Sequence, residues 1–133
     1  MNTILRKDFA LLLLRVAFGF RLIYGTFDNI IDWDRMVEFK NFLATNGFPI
    51  PMVCAVVSVY LQFLAGVSWI IGYQVKWTSL LMIINFVIAL VGVHLINGDS
   101  YLSMAPAIHL LVVAAFFYFV GPGRYAIQRP VRQ

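Results

Sequence analysis

Charge is scarce in this chain: Asp, Glu, Lys and Arg make up 12% of its 133 residues, against 62% hydrophobic residues. A soluble domain carries about twice that share of charge, and one of this length cannot hide so much apolar surface from water. Cysteine is scarcer still. Cys54 stands alone, so there is no internal disulfide and no C-x-x-C pair, which weighs against a thiol–disulfide relay built on this chain. Cys54 itself reads as a small packing residue. The chain also lacks a dinucleotide-binding glycine motif and a metal-cysteine set, so no covalently bound cofactor and no metal is expected, and any redox turnover needs a partner. No A-x-A-like cleavage site follows the first apolar run, which is therefore read as a retained helix. Ionisable residues within the apolar runs are few and no internal repeat is visible, leaving a transporter or channel without support.

What the chain has is four long apolar runs, about 9–27, 51–73, 77–96 and 101–120. Each approaches the roughly 20 residues, at about 1.5 Å apiece, that cross a bilayer. They predict an all-α membrane protein, a single domain over 1–133 forming a four-transmembrane-helix bundle. Between the first two runs, Trp33, Met36, Val37, Phe39, Phe42 and Leu43 recur at helical spacing behind Asp32, which is placed to cap them. That pattern predicts a short interfacial helix, a membrane anchor that is also positioned to act as a lid. Asn46-Gly47 ends it and Pro51 opens the next span.

The net charge of +4 invites a nucleic-acid reading, but the basic residues sort by loop instead of forming one face. Arg6, Lys7, Lys76, Arg124, Arg129 and Arg132 lie before the first run, between the second and third, and after the fourth, against Asp8 alone, whereas Asp28, Asp32, Asp34, Glu38 and Asp99 outweigh Arg35 and Lys40 in the other two connections. The positive-inside rule then predicts a multi-pass protein of a bacterial cytoplasmic (inner) membrane with both termini in the cytoplasm, its partner being lipid and not nucleic acid.

Polar residues inside the apolar runs are the candidate functional set. A helix starting after Asp8 puts Arg15 about 9 Å in, close enough to snorkel back as an anchor. Arg21, about 18 Å in and about 120° around the helix from Arg15, shares a stripe with Tyr24, Gly25 and Asp28. Two readings stay open for it: an outward ion pair with Asp28, or a side chain lining a cavity. Gln62 and Asn85 fall at similar depth, so they are candidates to bond each other or a ligand. His94, nine residues from Asn85 and so about 180° around, addresses a different partner. His109 reaches a comparable outer depth on the last span, but no third ligand accompanies the two histidines. Gly66 and Gly92 lie on small-residue faces compatible with a homodimer.

The LLLRVAFG opening, the FLATNGFPIP connector, HLINGD after the third span and the GPGRYAI ending together resemble the DoxX family of small four-helix bacterial membrane proteins. The likeness covers nearly the whole chain. It implies a four-helix bundle in the cytoplasmic membrane and an association with quinone-linked redox chemistry, such as thiosulfate:quinone oxidoreductase, or with membrane or peripheral oxidoreductase subunits. Members commonly carry a glutamate in mid-helix 2 where this chain has Gln62, and a lysine where it has Asp28. Arg15, Arg21 and His94 are the positions left to inherit a family role. Two functions follow: a redox-associated subunit binding a quinone or similar amphipathic molecule in the outer half of the bundle, through Arg21, Tyr24, Asp28, Gln62, Asn85, His94 and His109; or a non-catalytic interaction or scaffold subunit.

Overall fold

In the computed structural model, which describes residues 2–128, the chain is helical throughout: α1 (Thr3–Ile31), α2 (Trp33–Thr45), α3 (Pro51–Ile71), α4 (Val75–Ala89), a π-helical turn (Leu90–Leu95) continuing α4, and α5 (Tyr101–Val120). Among the described residues there is no strand. α1, α3, α4 with its π turn, and α5 are each long and apolar enough to cross a membrane, with α2 as the short helix between the first two. The chain is an all-α, multi-pass membrane protein.

α1 starts earlier than expected. Asn2, not Asp8, is the N-cap, its side chain accepting from Leu5 N at 2.9 Å, because nothing between Thr3 and Lys7 breaks a helix. Asp8 lies within the helix, where its Oδ1 accepts from Arg124 N at 3.4 Å. Its 29 residues run about 43 Å, longer than a hydrocarbon core, so both ends of α1 project past it.

α1 and α3 meet backbone to backbone. A Cβ on Gly19 would stand 2.6 Å from Gly66 O, and one on Gly66 would stand 2.6 Å from Gly19 O. Only glycine permits that approach. Gly92, in the π turn, faces the Phe48 ring, whose Cζ lies 3.0 Å from where a Cβ would sit. Both glycines expected to offer a dimer face are thus consumed inside the bundle. The core between the spans is built on Trp69, buried edge-on against Phe117 at 4.9 Å between centroids, its Nε1 donating to Ser79 Oγ at 3.0 Å. A second cluster, Met36 and Leu43 over Ala55 and Val59, seats α2 on α3.

One end of the bundle is closed by Arg15. Far from snorkelling, this side chain is 1% exposed. Its Nε donates to Trp69 O at 2.9 Å, Nη2 to Ile70 O at 3.3 Å, and Nη1 to Pro122 O at 2.5 Å and Tyr125 O at 2.9 Å. Gly72 leaves α3 in the left-handed region (φ 74°) and passes so close to Ala126 that a side chain there would collide. The segment after α5 then pairs with the end of α3 through Ile127 N to Ile71 O and Gln128 N to Gly72 O, both 3.1 Å. Snorkelling fails as a description because the carbonyls at a helix C-terminus and in a folded-back tail offer the guanidinium a nearer partner than water.

Arg6, Lys7, Lys76 and Arg124 belong to this end, whereas α2 and the turn at Asn97–Ser100 lie at the other. Arg129 and Arg132 fall outside the described residues. The two ends therefore differ in charge as the loop sorting predicts.

Candidate functional site

At the α2 end, the bundle does not close on itself. A cavity of about 490 Å³ opens between α2, α3, α4 and the π turn, within the range of small-molecule sites. Its walls are apolar: Phe39, Phe42 and Leu43 from α2, Phe48 from the connector, Val57 and Leu61 from α3, and Leu81, Ile84, Ile88 and Val93 from α4 and its continuation. Val57, Leu81, Ile84 and Ile88 are exposed, so the cavity opens sideways between α3 and α4, the direction of lipid. Phe48 covers it from above, held against Gly92, while Asn97 Nδ2 donates to Asn46 Oδ1 at 2.8 Å and pins the connector to the far loop.

Polar groups are few and grouped. Gln62 Nε2 donates to Ser58 Oγ at 3.0 Å, and Ser58 Oγ donates to Asn85 Oδ1 at 2.8 Å. Gln62 and Asn85 are thus joined as their equal depth suggested, with Ser58, one turn before Gln62, as the bridge. His94 lines the same cavity, its Nδ1 lying 2.8 Å from Asp99 Oδ2. The side chains of that pair are 23% and 31% exposed, at the rim.

His94 shares a wall with Asn85, contrary to the helical count. The π turn explains the difference: its i→i+5 winding takes more residues per turn than a regular helix, so His94, near its end, lags behind the 100°-per-residue count. The nine residues then span less than the counted 180°, and His94 comes round to the cavity side. Gly92 sits within this turn beneath Phe48, in the space a side chain would need.

The remaining expected residues lie elsewhere. Arg21 and Asp28 are exposed on the outward face of α1, and Tyr24 is 72% exposed there. The Arg21 guanidinium runs along its own helix over Gly25, with Nη1 2.6 Å from where a Cβ would stand. Among the described residues it forms no ion pair with Asp28, so neither expected role of Arg21 is realised, and none of the three lines the cavity. The positional reason is that α1 presents Gly19 and Leu22 to the bundle, which turns Arg21 and Tyr24 away from it. His109 is exposed on α5, also apart from the cavity. Among the described residues, no three His, Cys, Asp or Glu side chains gather as a metal ion requires.

Three contributors were missed in the sequence. Ser58 was visible as the i−4 neighbour of Gln62, Asp99 as the acid five residues after His94, and Phe48 as the aromatic flanked by Gly47 and Pro49. Cys54 also lines the cavity, its thiol donating to Pro49 O at 3.2 Å.

The family model for DoxX matches residues 10–95, covering α1 to the π turn and so every element of the cavity. No curated protein and no solved structure is similar enough to add to that match.

Proposed function

The chain belongs to the DoxX family, and from that premise we propose that the α3–α4 cavity binds an uncharged amphipathic ring molecule of the quinone class. In this reading the protein is a redox-associated subunit of the bacterial inner membrane, with both termini in the cytoplasm. The observation that carries it is the cavity itself: apolar walls, an opening toward lipid, and one bridged amide–hydroxyl–amide group at mid-depth. Such a site orients a ring through a few polar atoms. The basic residues at the end that holds both termini support the orientation. Oxidation or reduction of the ligand would involve a membrane or peripheral oxidoreductase subunit, since the sequence carries neither a dinucleotide-binding glycine motif nor a metal-cysteine set to hold an electron carrier.

The test is binding by purified protein in nanodiscs. Decylubiquinone and menadione should raise the melting temperature and quench tryptophan fluorescence, Ser58→Ala and Asn85→Leu should weaken both effects, and absence of any response to either compound would refute the proposal. At a hundredfold excess over Kd, one bound ligand stabilises by about 2.7 kcal/mol.

A non-catalytic scaffold role rests on a separate observation, the outward stripe of Arg21, Tyr24 and Asp28 on α1. An arginine facing hydrocarbon costs about 2.5 to 3.5 kcal/mol on insertion scales, which a polar partner helix would relieve. Arg21→Leu should then leave the cavity's ligand response unchanged while releasing any co-purifying membrane subunit; retention of that subunit removes the case for this face.

A further inference from the structure

We infer that the His94–Asp99 pair reads the oxidation state of whatever occupies the cavity, favouring a ligand that presents a hydroxyl over the same ligand presenting a carbonyl. The inference rests on the reading that the cavity holds such a ligand.

Two polar groups face the cavity, and they differ in adaptability. The Gln62–Ser58–Asn85 chain runs as Gln62 Nε2 to Ser58 Oγ to Asn85 Oδ1, leaving the amide nitrogen of Asn85 and the carbonyl oxygen of Gln62 for a ligand. If both amides turn over and the hydroxyl reverses, the chain runs the other way and leaves the carbonyl of Asn85 and the nitrogen of Gln62. One donor and one acceptor are presented either way. This group accommodates a carbonyl and a hydroxyl equally.

His94 lacks that freedom. Its Nδ1 lies 2.8 Å from Asp99 Oδ2, and a carboxylate accepts, so in the neutral imidazole the one ring hydrogen sits on Nδ1. Nε2 is then bare, with no protein partner among the described residues, on a ring that lines the cavity. It accepts a hydrogen bond from a ligand hydroxyl and has nothing to donate to a carbonyl. The π turn that carries His94 to this wall is what gives the pair access to the ligand.

The experiment compares decylubiquinol with decylubiquinone in nanodiscs, using isotope-labelled histidine in a His109→Gln background so that a single ring is observed. The expected result is an Nε2 resonance at the unprotonated position that moves with the quinol and not with the quinone. The ratio of quinone to quinol Kd should be roughly fivefold higher in the wild type than in His94→Phe, the worth of about one hydrogen bond. A protonated Nε2 in the free protein, a resonance indifferent to quinol, or the same Kd ratio in His94→Phe would each overturn the inference. Should neither compound bind the wild type, the cavity reading itself fails; should both bind with no difference at His94, only this inference does.

Discussion

Replacing Arg15 with leucine tests what closes the bundle at the end of the termini. The last four carbonyls of α3 have no intrahelical partner, and each is met: Ser68 O accepts from Gly72 N and Tyr73 N, Trp69 O and Ile70 O from Arg15, and Ile71 O from Ile127 N. Leucine strands the two carbonyls that Arg15 serves on α3 and frees Pro122 O and Tyr125 O, which are near enough to the surface to be rehydrated. Two stranded carbonyls at about 1 to 2 kcal/mol each, with the lost interaction of a cation at a helix C-terminus at about 0.5 kcal/mol, give about 3 to 4 kcal/mol. That corresponds to a melting temperature lower by roughly 10 °C. Arg15→Lys keeps the charge but has three donors on one atom in place of a planar fork, so it should fall between wild type and leucine. Thermal unfolding in nanodiscs measures both, and trypsin cleavage after Arg124 should be faster in both because the tail loses its anchor. A leucine variant that melts within a degree or two of wild type with an equally protected tail would refute the argument, since the four hydrogen bonds would then have no net worth.

Gly66→Ala forces a Cβ to within 2.6 Å of Gly19 O, a backbone atom that cannot swing aside, so α1 and α3 must separate. The expected cost is about 1 to 3 kcal/mol in thermal unfolding. Ile50 holds φ 45° ahead of Pro51, a conformation that a β-branched side chain resists. Its side chain is exposed, so Ile50→Asn should stabilise by about 1 kcal/mol with no change in ligand response, and a loss of stability would show that the Ile50 side chain contributes contacts worth more than its strain.

The spans, the interfacial helix and the sorting of charge by end were legible because each depends on a property summed over many residues. Errors of one residue do not disturb such sums. The site was legible where it depended on depth alone: Gln62 and Asn85, near the middle of their helices, do share one polar group. Rotation around a helix was less secure. Arg15 and Arg21 were separated correctly into different faces, but which face meets the bundle depends on the Gly19–Gly66 contact, and a pair of glycines in one chain does not announce that they touch each other. Helical counting therefore points Arg15 to water and leaves Arg21 open between an outward pair with Asp28 and a cavity, whereas the protein buries the first and turns the second outward without that pair. Angular counting failed outright at His94, because 100° per residue holds only for a regular α-helix and Leu90–Leu95 is not one.

The two ends of the bundle differ in how they are held, and that difference bears on function. At the terminal end, the carbonyls of α3 are saturated by a buried guanidinium and a folded-back tail. At the other end, α2 rests on Met36 and Leu43, the connector is pinned by the Asn97–Asn46 bond between exposed residues, and Phe48 closes the cavity against Gly92. A hydrogen bond open to water contributes only about 0.5 to 1.5 kcal/mol, so this pin opens far more readily than the Arg15 network. The α2 end is thus the less firmly held of the two, while the opposite end keeps the spans in register.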